Sequence, residues 1–492
     1  MNGAPGEETL TRGGGRGIIL SGVQFLRRQM SRNSPNHAFR YASAGGDFYA
    51  RHDDRLQHVV FDATSRLTNV FPRAGRKVLN GVFLFVSANP LLAAYFDLRN
   101  RRVVRRVRSF RRILVIPDIH IGDAILSQAA VTAMRDFFPD ARVDLVLNKA
   151  ALPLIAGNPE ITRAIPLFSG GAVPSEEVVQ AVHHEVEREA YDLCLNLCPY
   201  IRDREIRPDG RGVINIMSRT PTIVGNEWRT TPVNHLAYHM YRLPRDLLRC
   251  RNRPARKKVF QGVRLTLGDK AIEGARSFAA GAGAGDERPV VMFNPDAASP
   301  FTRMPFDVQA ALLARLAESG ALILLGEGHT DAGIGRRLRD GLPPRARRAV
   351  RLVPASLPLE VYSALIDWSD VFISGDTGPL HLAAARKHAR SGRRVFRNRT
   401  AVLSVFGATP ARMSGYDSTR TGFLPACQDA PSWTYVAGSP CRNITCLNKI
   451  YKTCTRVRCF ERFDVERVAG WVGLRLSRSS RASSRKRMPT AA

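Results

Sequence analysis

Two stretches far apart in the chain carry one pattern: a short run of apolar residues, a glycine-punctuated turn with acidic residues, then an Ala/Leu-rich segment. The later is DVFISGDTGPLHLAAA, Asp370 to Ala385, and the earlier is ILVIPDIHIGDAIL, Ile113 to Leu126. Val371-Phe372-Ile373 suits a buried parallel strand, Gly378-Pro379 ends it, and the following residues have helix-forming composition. A helix that starts there directs unpaired N–H groups and the positive end of its dipole at the mouth of the sheet, where a phosphate or diphosphate binds well. Asp376, Thr377 and His381 would surround that pocket. An ordinary βα turn explains the same residues with Asp376 or Thr377 as helix cap and His381 packed in the first turn. Taken alone, the segment favours this second explanation.

The alternation extends over most of the chain. Strands are expected at Ile113–Ile116, Arg142–Leu147, Ile161–Leu167 and Tyr191–Leu197. A helix begins at Asp123, keeps Ile125, Leu126, Ala129, Ala133, Met134 and Phe137 on one face and stops at Pro139, and a second covers Ser175–Ala190. His183 and His184 read as helix surface; Asn234, His235 and His239 could border a cleft, with a helix surface the favoured reading. From Pro289 the pattern restarts, with strands at Val290–Phe293, Ala321–Leu325, Val350–Val353, Val371–Ile373 and Ala401–Phe406. Helices are expected at Pro305–Glu318, Asp331–Asp340, Pro358–Ile366 and finally Asp464–Leu476. Strands alternating with helices predict doubly wound parallel sheets. Between the halves, Arg251–Arg288 is basic and then Gly/Ala-rich. Its GAGAG tract precedes a strand instead of following one, which is wrong for a dinucleotide phosphate turn, so the segment reads as a flexible linker.

Length permits two sizeable domains with an extension, and 44% hydrophobic content is ordinary for a globular chain. The charge is not ordinary: 74 Lys+Arg against 43 Asp+Glu give +31, which favours anionic partners such as a membrane surface, an acidic glycan or a nucleotide-sugar. With no zinc-finger spacing and no RNP-like aromatic strand, no specific nucleic acid is expected. Residues 1–76 lack a sustained period and an apolar core for a secretory signal, so disorder and a cytoplasmic location are expected. Val78–Leu98 is the most apolar stretch, but Asn80, Asn89 and Pro90 interrupt it short of a transmembrane helix. In Arg101–Arg112, Val103, Val104, Val107 and Phe110 share a helical face surrounded by arginines. It suits either an anionic leaflet or a solvated lead-in to the first strand.

The two strand–turn–helix stretches and their surroundings resemble the ADP-heptose:lipopolysaccharide heptosyltransferases, glycosyltransferase family 9. The residues that carry the resemblance are Ile113–Leu147, LILLGEGHTD at Leu322–Asp331, SLPLEVYSALIDWSDVFISGDTG and AVLSVFGATP at Ala401–Pro410. The resemblance implies a GT-B fold, two Rossmann-like domains facing a cleft. They would be an acceptor domain at 113–250, a linker at 251–288 and a nucleotide-sugar domain at 289–463, flanked by a basic extension at 1–112, a helix at 464–476 that packs back on the first domain, and a basic tail at 477–492. It implies inverting transfer of a sugar, heptose from ADP-heptose, onto a lipid-linked saccharide such as a lipopolysaccharide core. The enzyme would be cytoplasmic or peripheral on the inner face of the membrane.

By the same resemblance Asp123 is the base that takes the acceptor proton, with Asp118 as backup; an N-cap role toward the Ile125 and Leu126 amides is the alternative. His120 and Gly122 would border the acceptor. Thr377, Gly378, Pro379, Leu380 and His381 would meet the departing diphosphate, and Asp376 the sugar hydroxyls. Glu327 would belong to the nucleotide site. No D-x-D motif stands near a strand end, so no cofactor and no metal are expected, the helix terminus and cationic side chains meeting the charge instead.

Two departures bear on the donor. Where the family carries Lys-x-Trp-Pro this chain has Thr302-Arg303-Met304-Pro305, so the lysine position is Thr302 and Arg303 is left to supply charge. Arg386–Thr400 is also longer than the family pattern. Of eight cysteines, Cys441, Cys446, Cys454 and Cys459 are separated by four, seven and four residues. That is not the C-x-x-C spacing of common zinc sites. A related group of heptosyltransferases acting on adhesins holds iron on four cysteines there, and reduced structural thiols are the alternative. Transfer of another sugar, a protein acceptor, or a catalytically silent GT-B scaffold that binds glycan remain open as functions.

Overall fold

Strands that alternate with helices and carry apolar residues on both faces must be covered on both sides, which parallel sheets achieve. The computed structural model describes residues 90–169, 174–198, 201–215, 236–248, 262–285, 288–298, 302–389, 400–407, 411–416, 432–437 and 458–480. All lie in the unit Arg51–Ala492. The expectations for residues 1–89, Asn234, His235, Cys441, Cys446, Cys454 and the part of the basic tail after residue 480 fall outside them, residues 477–480 being the end of a helix.

The first sheet has the order β3-β2-β1-β4-β5, all neighbours parallel, from β1 (Arg112–Ile116), β2 (Arg142–Asn148), β3 (Arg163–Phe168), β4 (Leu193–Asn196) and β5 (Val213–Asn215). After β6 (Arg264–Leu267) the second sheet forms from β7 (Val290–Asn294), β8 (Leu322–Gly326), β9 (Val350–Val353), β10 (Val371–Ser374), β12 (Ala401–Phe406) and β13 (Ser432–Val436). Its order is β13-β12-β10-β7-β8-β9, again parallel throughout. β11 (Arg386–Ala389) pairs with β6 in a separate two-stranded parallel sheet. This is the α/β, GT-B arrangement. The winding reverses beside β1 in the first sheet and between β7 and β10 in the second. Ligand crevices of open α/β sheets form at such reversals, at the carboxyl ends of the strands.

Helix Ile121–Phe137 follows β1 and helix Gly378–Ala384 follows β10, and the two pack together. One apolar cluster runs from Ile113, Val115 and Ile125 through Leu265 and Ala275 to Phe372 and Leu382, so the halves share a core. Separate clusters fill the far face of each sheet.

Three expectations are corrected. Arg251–Arg288 is not a linker: it contains β6 and helix Asp269–Gly281, which packs on helix Leu359–Trp368 through Ala271, Ala275 and Ala279. Methyl groups four residues apart make a helix face but a faint hydropathy signal. Gly281 to Gly285 end that helix, with Ala284 N–H bonded to the Ala279 carbonyl at 2.9 Å. The arginine-rich stretch does not reserve its apolar face for a leaflet. Helix Pro90–Arg106 packs on helix Leu236–Leu248 and β5, Val104, Val107 and Phe110 are buried, and Phe110 stacks on Phe138 at 4.4 Å. Finally, the C-terminal helix Val465–Ser480 packs on the second sheet's own layer, against helix Phe306–Ala317, with Val468, Val472 and Leu476 in that cluster and not on the first half. Among the described residues no helix is long and apolar enough to cross a membrane.

Candidate active site

The β1 and β10 turns meet. A Cβ on Gly122 would stand 3.0 Å from Cδ2 of His381 and 3.3 Å from Cα of Gly378, so only glycine lets the two helix starts approach this closely. Asp123 lies in the first turn of its helix. His120, not Asp123, occupies the N-cap position, and the first helical bond runs from Ala124 N–H to the His120 carbonyl at 3.0 Å. The N-cap alternative is thereby removed.

Burial raises the Asp123 carboxyl to about 7; the negative charges of Asp118 and Asp376 push the same way, while His120 opposes them. Asp118 is raised to about 6, chiefly by burial and against the 2.6 Å bond its Oδ1 accepts from the Ile119 amide. Asp123 therefore senses the carboxylates of both Asp118, from its own turn, and Asp376, from the second sheet. A carboxyl balanced near neutrality takes a hydroxyl proton better than one at the ordinary value.

On the opposite wall Thr377 holds the N-cap position, but its side chain caps nothing. Its hydroxyl is 2.8 Å from the Ser374 hydroxyl and accepts from Asn294 Nδ2 at 3.2 Å, which ties the β10 turn to the end of β7. Asp376, Thr377, Gly378 and Pro379 are half-buried. Leu380 is fully buried and its amide donates to the Thr377 carbonyl at 3.1 Å. His381 is buried, its Nδ1 2.9 Å from the Tyr416 hydroxyl, and burial lowers it to about 4 against the pull of Asp376. Its surroundings thus favour the neutral ring over the cation.

The backbone of Thr302 lies against Gly375: a Cβ there would meet the Thr302 carbonyl oxygen at 2.7 Å. Thr302 itself is buried. Arg303 does not stand ready with free charge, since it pairs with Asp331 at 2.8 Å and Asp296 at 3.4 Å. Glu327, at the end of β8, pairs with Arg336 at 2.8 Å, which holds its carboxyl below the ordinary range. Asp296 is missed by sequence reasoning. Its Oδ2 accepts the His329, Thr330 and Asp331 amides at 2.8, 2.6 and 3.2 Å and so shapes the loop after β8. The signal for it and for Asn294 was Asn-Pro-Asp directly after a buried strand.

His183 is half-buried, with Nδ1 3.0 Å from the Ile206 carbonyl oxygen, and Cys194 and Cys198 are core residues. Cys459 is buried. Among the described residues no group of three or more His, Cys, Asp or Glu side chains could hold a metal ion.

Two facing parallel sheets with this recess are the GT-B fold. Residues 258–392 match the model of glycosyltransferase family 9 (heptosyltransferase). The chain is 21% identical over 285 residues to lipopolysaccharide heptosyltransferase 2 of Salmonella typhimurium, covering 56% of this chain and 80% of that protein. It is 24% identical over 293 residues to lipooligosaccharide heptosyltransferase 2 of Haemophilus ducreyi, with the same coverage. The crystal structure of a family 9 glycosyl transferase from Veillonella parvula superposes with a TM-score of 0.54 at 15% identity, over 75% of this chain and 98% of that one. The chain is thus similar to glycosyltransferase family 9 over residues 258–392 and, more distantly, to the lipopolysaccharide heptosyltransferases.

Proposed function

We propose that this enzyme moves a heptose from ADP-heptose onto a lipopolysaccharide core or related surface glycan, with inversion and without a metal. The observation that carries the reading is Asp123, raised to about 7 at a helix start that abuts the Gly378–His381 turn. Asp123 takes the proton of the acceptor hydroxyl as its oxygen bonds to the anomeric carbon. The bond from that carbon to the diphosphate oxygen breaks, and its electron pair leaves with the nucleoside diphosphate. Attack from the face opposite the leaving group inverts the centre. Asp376 is suited to the donor's hydroxyls, since its charge would repel the diphosphate, while Thr377 and Gly378 border the phosphates. His120 and Gly122 flank the acceptor, with 113–250 as the acceptor half and 289–463 as the donor half. The names of the similar enzymes support heptose and a lipopolysaccharide acceptor. Metal independence rests on the missing D-x-D motif.

A second reading, another nucleotide-sugar as donor, is favoured by Thr302 in place of the family lysine and by the engagement of Arg303 with Asp331 and Asp296. The test is release of nucleoside diphosphate from a panel of nucleotide-sugars, with a rough lipopolysaccharide acceptor, by wild type and Asp123→Ala. ADP-heptose as the preferred donor with loss of turnover in the variant is expected. Equal turnover in both removes Asp123 as base, and binding without turnover of any donor makes the chain a silent glycan-binding scaffold.

A further inference from the structure

The C-terminal helix Val465–Ser480 buries one face and turns another, apolar and basic, to the outside. Val468, Val472 and Leu476, four residues apart, fill the core of the second half. Around the helix from them run Arg467, Trp471, Leu474 and Arg478, spaced as i, i+4, i+7 and i+11, a single stripe. Leu474 is 62% exposed, the most of the large apolar side chains among the described residues. Trp471 is half-buried and lies on Trp433 of β13 with centroids 5.5 Å apart; the Arg467 guanidinium covers the Trp433 ring at 5.6 Å and that of Arg475 the Trp471 ring at 5.0 Å. A Cβ on Gly470 or Gly473 would meet nothing within 4 Å, so open space lies beyond both.

We propose that this stripe seats the protein on an anionic lipid surface, the helix lying in the headgroup plane with Leu474 and the edge of Trp471 inserted and Arg467, Arg475 and Arg478 on lipid phosphates. Charge selects the occupant. The two acids at the start of the helix are engaged, Glu466 with Arg315 at 2.9 Å and Asp464 with the Arg467 amide at 2.9 Å. From Arg467 to Ala492 seven side chains are Lys or Arg and none is Asp or Glu. The helix dipole accounts for basic residues in the last turns, Arg475 and Arg478, but not for Arg467 in the first turn or for Leu474. Tryptophan under a stacked guanidinium suits the headgroup level, where the ring meets apolar chains and the cation stays wet. A convex stripe with one protruding leucine also fits a deformable plane, whereas a rigid protein partner would need a pocket for it. The inference goes beyond the proposed function, and its test requires neither sugar donor nor acceptor.

The test is sedimentation of the full-length protein with phosphatidylcholine vesicles that contain about one third phosphatidylglycerol. Binding is expected to these vesicles and not to pure phosphatidylcholine, and to weaken as salt is raised. Arg467→Gln with Arg478→Gln should lower vesicle affinity roughly 20-fold, about fivefold per arginine, and Leu474→Gln about tenfold. All three positions are exposed, so the thermal midpoints stay at the wild-type value. Arg101→Gln with Arg102→Gln removes the same charge from exposed positions on helix Pro90–Arg106 and should leave the affinity unchanged. No binding to the anionic vesicles overturns the proposal. So does wild-type affinity in Leu474→Gln, which removes insertion, or an equal loss from the two arginine pairs, which shows that charge acts wherever it sits. Duplex DNA binding that the Arg467 and Arg478 changes weaken, with vesicle binding untouched, assigns the stripe to nucleic acid and overturns it as well. A protein that binds vesicles as expected but turns over no nucleotide-sugar defeats the proposed function and leaves this inference standing.

Discussion

Gly122 and Gly378, one from each half of the molecule, lie in backbone contact: a Cβ on Gly378 would stand 3.5 Å from the Gly122 nitrogen, and one on Gly122 3.3 Å from the Gly378 Cα. Each opens the helix that follows its sheet's central turn, so the contact fixes the distance between Asp123 and the Asp376–His381 wall.

Gly122→Ala tests that distance. The added methyl meets His381 Cδ2 at 3.0 Å, and relief requires the two starts to separate by a fraction of an ångström. Steady-state transfer is expected to fall roughly 10- to 100-fold, because misplacement of that order disrupts the geometry of attack. Gly122 lies in regular helix, so the thermal midpoint shifts little, and a variant with wild-type kcat would show that the contact does not set the reaction geometry.

Asp123→Asn separates two effects of the raised carboxyl. Transfer should drop about 10²- to 10⁴-fold, the range for a missing general base. In the wild type, kcat/KM should rise with pH through about 7 as Asp123 ionises, with Asp118 near 6 sharing the titration. Stability runs the other way. Between the unfolded value of 3.8 and about 7 the folded state holds a proton that the unfolded state has released, so stability falls as pH rises across that window. Above it, Asn removes a buried charge and the variant should be more stable than wild type by on the order of 2 kcal/mol, with the advantage gone near pH 4. Denaturant melts at the two pH values measure this.

Asp296→Ala removes the acceptor of three loop amides and one partner of Arg303. A loss of about 2–4 kcal/mol in unfolding free energy is expected from buried amides left unsatisfied. Nucleoside diphosphate affinity, read by calorimetry, should weaken with it if the loop after β8 borders the donor.

Lys387 in β11 and Asp367 in helix Leu359–Trp368 form an ion pair at 2.5 Å with both side chains fully buried. Lys387→Met alone should cost about 3–5 kcal/mol by stranding the carboxylate. Adding Asp367→Leu should restore most of it, and urea melts of the cycle give the coupling directly. Equal costs in single and double variants would show that the charge is not what the single variant loses.

Both sheets are legible in the chain because β1, β7, β8, β10 and β12 are continuous apolar runs of strand length, bounded by turns. The turn residues Asp118 to Asp123 and Asp376 to His381 are legible as well, since each stands where such a run ends. What escapes is carried by residues whose role depends on distant partners. Ala271, Ala275 and Ala279 bury too little area each to announce a helix. Val104, Val107 and Phe110 form a face whose destination, protein or lipid, no local pattern specifies. Arg303 reads as an available charge until Asp331, 28 residues on, is seen to hold it. Tyr416 meets His381 from a segment 35 residues later, with no motif to mark it.

The small β6–β11 ladder bears on how the two halves are joined. β11 directly continues the Gly378–Ala384 helix, and β6 lies beside the Leu152–Ile155 turn, Thr266 against Gly157 of the first half. The β10 turn is thus stitched, through four paired residues, to a strand seated on the opposite half. The two halves are therefore held at two places, this seam and the Gly122–Gly378 contact, both on the segment that runs from the β10 turn through Ala389.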